Sequence, residues 1–293
     1  YSMVSIDTFG IIGGDKRQLA TARMIALDGY TVYLSCFEKL EQLLGTFGGS
    51  LNIEECILGS DVIILPLPVT KDGVTLNTPF SEKRILLNDD FAKLFRGKAV
   101  FCPMKEKLIE SSRHWQDVKL YDFLNREEMQ VCNAVPTAEG AIEIAMREYL
   151  GTINGSKCLI TGYGRIGKVL AQMLKGIGAE VYVSARRKES LAWIKLNGYT
   201  PIDNSNLINS GEFDIIFNTV PAQILDAHII AKIATNALII DLASLPGGVD
   251  FESAKRMGIP TIHALSLPGK VAPKTSGEII KNTIFNILEE EKA

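Results

Sequence analysis

The chain has 293 residues, a formal net charge of −3, 46% hydrophobic residues and 22% charged ones. That length supports two domains with full cores, and the composition is that of a globular protein. The weak negative charge excludes an electrostatic case for nucleic acid or for an anionic membrane surface. No apolar run approaches the ~20 residues that cross a bilayer, and no basic segment leads into a long apolar one as in a secretory leader. A cytoplasmic protein is the expectation. Tyr1 and Ser2 stand ahead of Met3 and read as additions to the natural start, outside the fold. Cys36, Cys56, Cys102, Cys132 and Cys158 are odd in number and form no C-x-x-C, which fits free thiols in a reducing compartment. Only three histidines occur, and no metal-ligand spacing among them, so no metal is expected.

Thr8 to Ile12 predicts a buried strand running into Gly13-Gly14-Asp15, with a helix from about 16 to 28 and a second strand at Tyr30 to Leu34. This is a βαβ unit, yet its second and third glycine positions fall on Asp15 and Gln18. A carboxylate then stands where a diphosphate would lie, and a long side chain holds the helix off the strand. Further strands are predicted at 61–65, 98–102 and 118–121, with helices near 38–45, 51–58, 89–96 and 105–115. Thr70 to Arg84 reads as a loop or small hairpin. Strands alternating with helices predict a parallel sheet covered on both faces, so residues 1–135 are assigned to a flavodoxin-like domain. Residues 136–150 are expected to form an interdomain helix starting at Pro136, with Thr137 as its N-cap and facing the cleft.

Lys157 to Thr161 is a strand that opens directly into Gly162-Tyr163-Gly164-Arg165-Ile166-Gly167. The helix that follows shows Ile166, Val169, Leu170, Met173, Leu174 and Ile177 on one face and stops at Gly178; the next strand begins at Glu180. A G-x-G-x-x-G in that context is a dinucleotide fingerprint. Strands at 198–202, 213–217, 237–241 and 260–264 complete a six-stranded Rossmann domain over residues 151–267. Residues 268–293 are expected as a loop at the cleft, then an amphipathic helix that returns to pack on the first domain. Both domains are thus doubly wound α/β sheets. One short echo links them: Asp61-Val62-Ile63-Ile64-Leu65-Pro66-Leu67-Pro68 resembles Asp214-Ile215-Ile216-Phe217-Asn218-Thr219-Val220-Pro221.

A ribose-binding acid is expected about 20 residues after the first glycine. Here the strand ends in Ser184, Ala185, Arg186 and Arg187, a hydroxyl and two guanidinium groups in place of the acid. An acid repels a 2′-phosphate and arginine pairs with it, so NADP is the expected cofactor. Its predicted contacts are Gly162, Gly164, Arg165, Ile166 and Gly167 at the turn, then Ser184, Arg186 and Arg187. Asn218, Thr219, Val220, Pro221, Asp241 and Ala243 join them because ligands bind at the carboxyl ends of parallel strands. By the same rule Asp15, Arg17, Pro68, Lys105, Thr137, Lys270 and Lys274 are candidate substrate residues, the cations suiting a carboxylated molecule. His263 and Asp241 are the candidate catalytic groups. Cys102 has no paired histidine in view and reads as structural.

The blocks Ile12-Gly13-Gly14-Asp15-x-Arg17-Gln18-Leu19, Val135-Pro136-Thr137-Ala138-Glu139-Gly140 and Gly162-Tyr163-Gly164-Arg165-x-Gly167 resemble the dipicolinate synthase A-subunit family. So do Asn218-Thr219-Val220-Pro221, Asp241-Leu242-Ala243-Ser244-x-Pro246-Gly247-Gly248 and Leu267-Pro268-Gly269-x-Val271-Ala272-Pro273-Lys274-Thr275. The resemblance implies formation of dipicolinic acid from dihydrodipicolinate, or its hydrated tetrahydro form, a dicarboxylate branching from the lysine pathway. It implies work in the mother cell of a sporulating bacterium alongside a second, flavoprotein-like component, the dipicolinate synthase B-subunit. A homodimer is the commonest assembly. The alternatives are another NAD(P)-dependent hydroxy- or amino-acid dehydrogenase and a non-catalytic nucleotide-binding partner subunit.

Overall fold

The structure, a computed structural model, describes residues 6–234 and 236–292; Tyr1 and Ser2 lie outside them. The chain forms two compact units, one made of the chain up to Cys132 with the segment from Ala272 onward, the other of Asn133–Val271.

The first unit runs β1 (Thr8–Ile12), α1 (Lys16–Leu27), β2 (Thr31–Ser35), β3 (Ser50–Leu51), α2 (Ile53–Leu58) and β4 (Val62–Ile64). It continues with α3 (Asp89–Lys93), β5 (Ala99–Cys102), α4 (Lys105–Ser111) and β6 (Lys119–Asp122). The strands lie parallel in the order β3-β2-β1-β4-β5-β6. With the two-residue β3 set aside, this is the flavodoxin order 2-1-3-4-5. Short unbroken apolar runs such as Phe9-Gly10-Ile11-Ile12 and Val62-Ile63-Ile64 are buried on both faces, as a parallel sheet requires. Thr70 to Arg84 makes the expected hairpin excursion, bridging Thr70 to Leu76 and Thr75 to Leu86.

Two predicted helices change character. The segment 38–45 forms 3-10 turns at Glu38–Leu43 and Gly45–Phe47, and the one at 105–115 ends at Ser111, ahead of a 3-10 turn at Arg113–Asp117. There Trp115 is drawn into the core beside Phe91 and Phe95, and that packing outweighs continuation of the helix.

The second unit contains β7 (Lys157–Thr161), α6 (Arg165–Ile177), β8 (Glu180–Ala185), α7 (Lys188–Leu196), β9 (Thr200–Asp203) and β10 (Ile215–Asn218). Then come α8 (Ala227–Ile233), β11 (Leu238–Asp241), α9 (Phe251–Arg256), β12 (Thr261–His263) and α10 (Leu267–Val271). Its sheet order, β12-β11-β10-β7-β8-β9, is the Rossmann order, reversing between β7 and β10.

The helix α5 spans Glu127–Glu148 and corrects the expected start at Pro136, which instead lies inside it. Pro136 reads as a first-turn residue, but Ala134, Ala138, Ala141, Ile142 and Ala145 all bury against the core, and that apolar face carries the helix through the proline. Thr137 is therefore not an N-cap: its hydroxyl donates back to the Asn133 carbonyl at 2.8 Å. The stretch after Leu267, expected as loop, forms α10, because Leu267 and Pro268 are buried and Leu267 seats against Gly140.

The last helix, α11 (Pro273–Glu290), belongs to the first unit. Ile280, Ile284, Ile287 and Leu288 enter its core, and Phe285 stacks on Phe9 with ring centroids 5.6 Å apart. A Cβ at Gly277 would stand 2.5 Å from the Ala20 Cβ, so that glycine lets α11 close on α1. Among the described residues no helix is long and apolar enough to cross a membrane.

Candidate functional site

The register of the second sheet sets one residue from each of five strands in a row. Ser184 pairs with Thr161, Thr161 with Asn218, Asn218 with Asp241, and Asp241 with His263. All five stand at or next to the carboxyl ends of parallel strands, where doubly wound sheets bind ligands. The row is polar and largely buried, so each member must find a partner inside the protein.

Most of them do. The Thr161 hydroxyl donates to Asn218 Oδ1 at 2.6 Å, and Asn218 Nδ2 donates to Asp241 Oδ1 at 2.8 Å. Asp241 also accepts from the backbone N–H of Ala243 at 3.0 Å and of Gly248 at 2.8 Å. Asn218 and Asp241 are fully buried. Their side chains brace the loop after β11. Ser184 is fully buried too. Its side chain is buried with no partner for the hydroxyl, while its carbonyl accepts the Gly162 N–H at 2.9 Å. It steadies the glycine turn from below.

The turn itself is built for close approach. Gly162 has φ +94°, a left-handed conformation that suits glycine. A Cβ at Gly167 would collide with the Gly162 carbonyl, so only glycine lets α6 start this close to the strand. Gly164 faces open space and, as N-cap of a 13-residue helix, offers it no side-chain cap. Uncapped donors at a helix N-terminus are an anion site.

The counterpart in the first unit fills that position itself. Asp15 caps α1 by accepting from the Arg17 N–H, and Gln18 Oε1 accepts the Asp15 N–H, a complete capping box. Arg17 is buried, holds the Asp15 carboxylate at 2.8 Å and donates to the Leu67 carbonyl at 2.6 Å, beside Pro68. Asp15, Arg17 and Pro68 are thus brought together. Lys105 is not with them: its N–H donates to Asp122 at 3.1 Å and its ammonium to the Leu120 carbonyl at 3.3 Å. Lys270 and Lys274 are exposed.

Beside the glycine turn lies a groove of about 490 Å³, lined by Gly162, Tyr163 and Gly164, by Arg186 and Arg187 after β8, and by Thr219, Val220 and Pro221 after β10. Arg186 is exposed, and Arg187 pairs with Glu189 at 2.9 Å. Among the described residues no acid lines this groove. Sequence reasoning passed over Ser190, Asn204 and the segment Ala222 to Ile224, which also line it. Asn204 Oδ1 is buried there without a partner. Only the fold reveals Asn204, which sits just past β9 with no motif around it. A dinucleotide fits the groove: uncapped N–H groups for its diphosphate at one end, guanidinium groups at the other, and a glycine floor without Cβ atoms between.

At the far end of the row the His263 Nε2 lies 2.8 Å from the Ala243 carbonyl, and its ring stacks on Phe251. A carbonyl only accepts, so Nε2 is the donor in this contact and Nδ1 is the ring nitrogen left to accept. Cys102 is buried, and burial pushes its thiol up to about 12, which removes it as a nucleophile near neutral pH. Among the described residues no group of three His, Cys, Asp or Glu side chains is placed to hold a metal ion.

A Rossmann sheet with an acid-free glycine groove defines a dehydrogenase-type, nicotinamide-dinucleotide-binding oxidoreductase. Residues 131–244 match the D-isomer specific 2-hydroxyacid dehydrogenase NAD binding domain, and residues 8–124 match the N-terminal domain of the dipicolinate synthase A-subunit. The chain is 34% identical over 288 residues to the dipicolinate synthase A-subunit of Bacillus subtilis (strain 168), covering 97% of this chain and 96% of that one. It belongs to the dipicolinate synthase A-subunit family. The structure of that protein from Bacillus halodurans superposes with a TM-score of 0.86 at 30% identity over 98% of this chain and 99% of that one. The Bacillus subtilis structure does so with 0.83 at 32% over 99% and 98%.

Proposed function

We propose that this chain is an NADP-linked dipicolinate synthase A-subunit, oxidising dihydrodipicolinate, or its hydrated tetrahydro form after loss of water, to dipicolinic acid. The observation that carries the cofactor choice is the groove lining after β8, which holds Arg186 and Arg187 and no acid, the nearby Glu189 being paired with Arg187 outside it. NADP fits that lining because guanidinium pairs with a 2′-phosphate that an acid would repel. The names of the relatives carry the substrate.

Bound at the glycine turn, the cofactor supplies a hydride acceptor. Aromatising the dihydropyridine removes one hydride and one proton, and this chain's residues must deal with the proton. His263 is the candidate acceptor, through Nδ1, since Nε2 is committed to Ala243. Asp241 and Asn218 position it by fixing the Ala243 loop. The substrate's two carboxylates call for cations; Lys270 and Lys274 are exposed, whereas Arg17 and Lys105 already have protein partners. The setting proposed is the cytoplasm of a sporulating mother cell, with the flavoprotein-like B-subunit of dipicolinate synthase as partner.

Calorimetric titration of the chain with NADP and with NAD tests the cofactor. NADP is expected to bind at least tenfold more tightly, with Arg186→Ala abolishing that preference and leaving NAD unchanged; tighter NAD binding, indifferent to Arg186→Ala, overturns it. A second reading, a non-catalytic nucleotide-binding partner, draws on the engagement of Asp241 and Asn218 inside the protein. Turnover of dihydrodipicolinate by this chain alone with NADP rejects that reading, and no turnover even with the B-subunit present rejects the first.

A further inference from the structure

A second cavity of about 610 Å³ lies on the other side of the glycine turn, between α6 and α7. One wall is a helical stripe, Lys168, Gln172 and Lys175, at the i, i+4, i+7 spacing that faces one direction. Trp193 of α7 and Asn197, at the helix's C-cap, form the other wall, and Tyr163 and Tyr199 meet edge to face, centroids 6.4 Å apart, within it. Trp193 is 59% exposed, unusual for the largest apolar side chain. The Lys168 ammonium stands 5.7 Å from the Tyr163 ring and that of Lys175 5.3 Å from the Tyr199 ring. Lys175 is held further by the Asn197 carbonyl at 3.0 Å. Three aromatic rings, two ammonium groups and two side-chain amides therefore converge on one cavity, and among the described residues no acidic side chain lines it.

We propose that this cavity binds a planar aromatic carboxylate: the ring stacks on Trp193, and the carboxylate accepts from Lys168 and Gln172. A ring needs a flat apolar partner, and a carboxylate needs donors without a competing acid. Tyr163 joins this cavity to the dinucleotide groove, because it lines both, and its hydroxyl is held by Asn197 Nδ2 at 2.8 Å. It is also the middle residue of Gly162-Tyr163-Gly164. A ligand that shifts Tyr163 shifts the turn that receives the diphosphate, so occupancy of the two sites is coupled, with equal effect in each direction. The site stands apart from the choice between NADP and NAD; only its coupling rests on dinucleotide binding at the glycine turn.

The test titrates the full chain with benzoate, isophthalate and pyridine-2,6-dicarboxylate, with cyclohexanecarboxylate as the non-aromatic control, following heat and tryptophan emission. Trp115 is 1% exposed, so a quench reports Trp193. At least one aromatic acid is expected to bind and to quench. Trp193→Ala should weaken it about tenfold and Lys168→Gln about fivefold, both at surface positions that leave the fold intact. Saturation with the acid should change dinucleotide affinity at least threefold. No binding by any of the three acids, equal binding of the control, or binding indifferent to Trp193→Ala overturns the site. Binding that leaves dinucleotide affinity unchanged overturns the coupling.

Discussion

Asn218 donates its side-chain amide to the Asp241 carboxylate across 2.8 Å, and neither residue is exposed to solvent. The pair joins the ends of adjacent strands β10 and β11 and fixes the loop that carries Ala243, whose carbonyl in turn holds His263. Removing the acid leaves the Ala243 and Gly248 N–H groups buried without this acceptor and takes from the Asn218 amide one of its two, the Val220 carbonyl at 3.0 Å remaining. Asp241→Ala is therefore expected to cost about 3 kcal/mol of stability. Asp241→Asn keeps the volume and one acceptor and should cost less. Urea unfolding of both variants checks this, and equal loss in the two would show that the volume and single acceptor kept by asparagine contribute nothing, the effect lying wholly in the carboxylate's charge and second acceptor.

The glycines of the turn separate folding from binding. Gly167→Ala drives a methyl into the Gly162 carbonyl and should lower the melting temperature as well as dinucleotide affinity. Gly164→Ala meets open space in the protein alone, so it should fold normally yet lose dinucleotide affinity, the methyl standing where the diphosphate approaches. Thermal melts and calorimetry on the two variants give the comparison; a Gly164→Ala protein that binds as well as the parent would remove the diphosphate from that turn.

The thiols make a sharp chemical prediction. Cys36, Cys56, Cys102 and Cys158 are buried, and burial raises their pKa to about 11, 12, 12 and 11, whereas Cys132 is exposed. A thiol reagent at neutral pH should label Cys132 alone in the native protein and the remaining four only after denaturation. Two fast-reacting thiols in the native state would contradict this.

Acid sensitivity should trace in part to Asp61. Its carboxyl accepts the Asp7 and Thr8 N–H groups and the Thr8 hydroxyl, and the Asp7 bond chiefly holds it below the usual carboxylate range. A carboxyl with a lowered folded pKa is protonated first in the unfolded chain. Its contribution is whole above the ordinary value of 3.8 and drains away as the pH falls through the lower folded value. The stability gap between the parent and Asp61→Asn should accordingly narrow on acidification from pH about 6 to 3. A gap that stays constant would remove Asp61 from the acid response.

The amino-acid sequence by itself determined the two doubly wound sheets, because strand runs, glycine stops and the 3.6-residue periodicity are local and repeat along the chain. It also contained a correspondence whose reason lies in the fold: Asp61 and Asp214 head the echoed blocks because each accepts N–H groups at the start of the neighbouring strand, Thr8 in one sheet and Lys157 in the other. The glycine turn and the arginines after β8 were legible for the same reason, as motifs of fixed spacing. The tertiary structure alone decided what polar strand-end residues do. Asn218, Asp241 and Ser184 look like ligand contacts in a linear reading, and only the register that sets them side by side shows them turned inward. It likewise carried α5 through Pro136, since one proline is outweighed by an apolar face whose partners lie far away in the chain. And it set Asp15 and Arg17 against Leu67, closing in the first unit the helix N-terminus that the second leaves open.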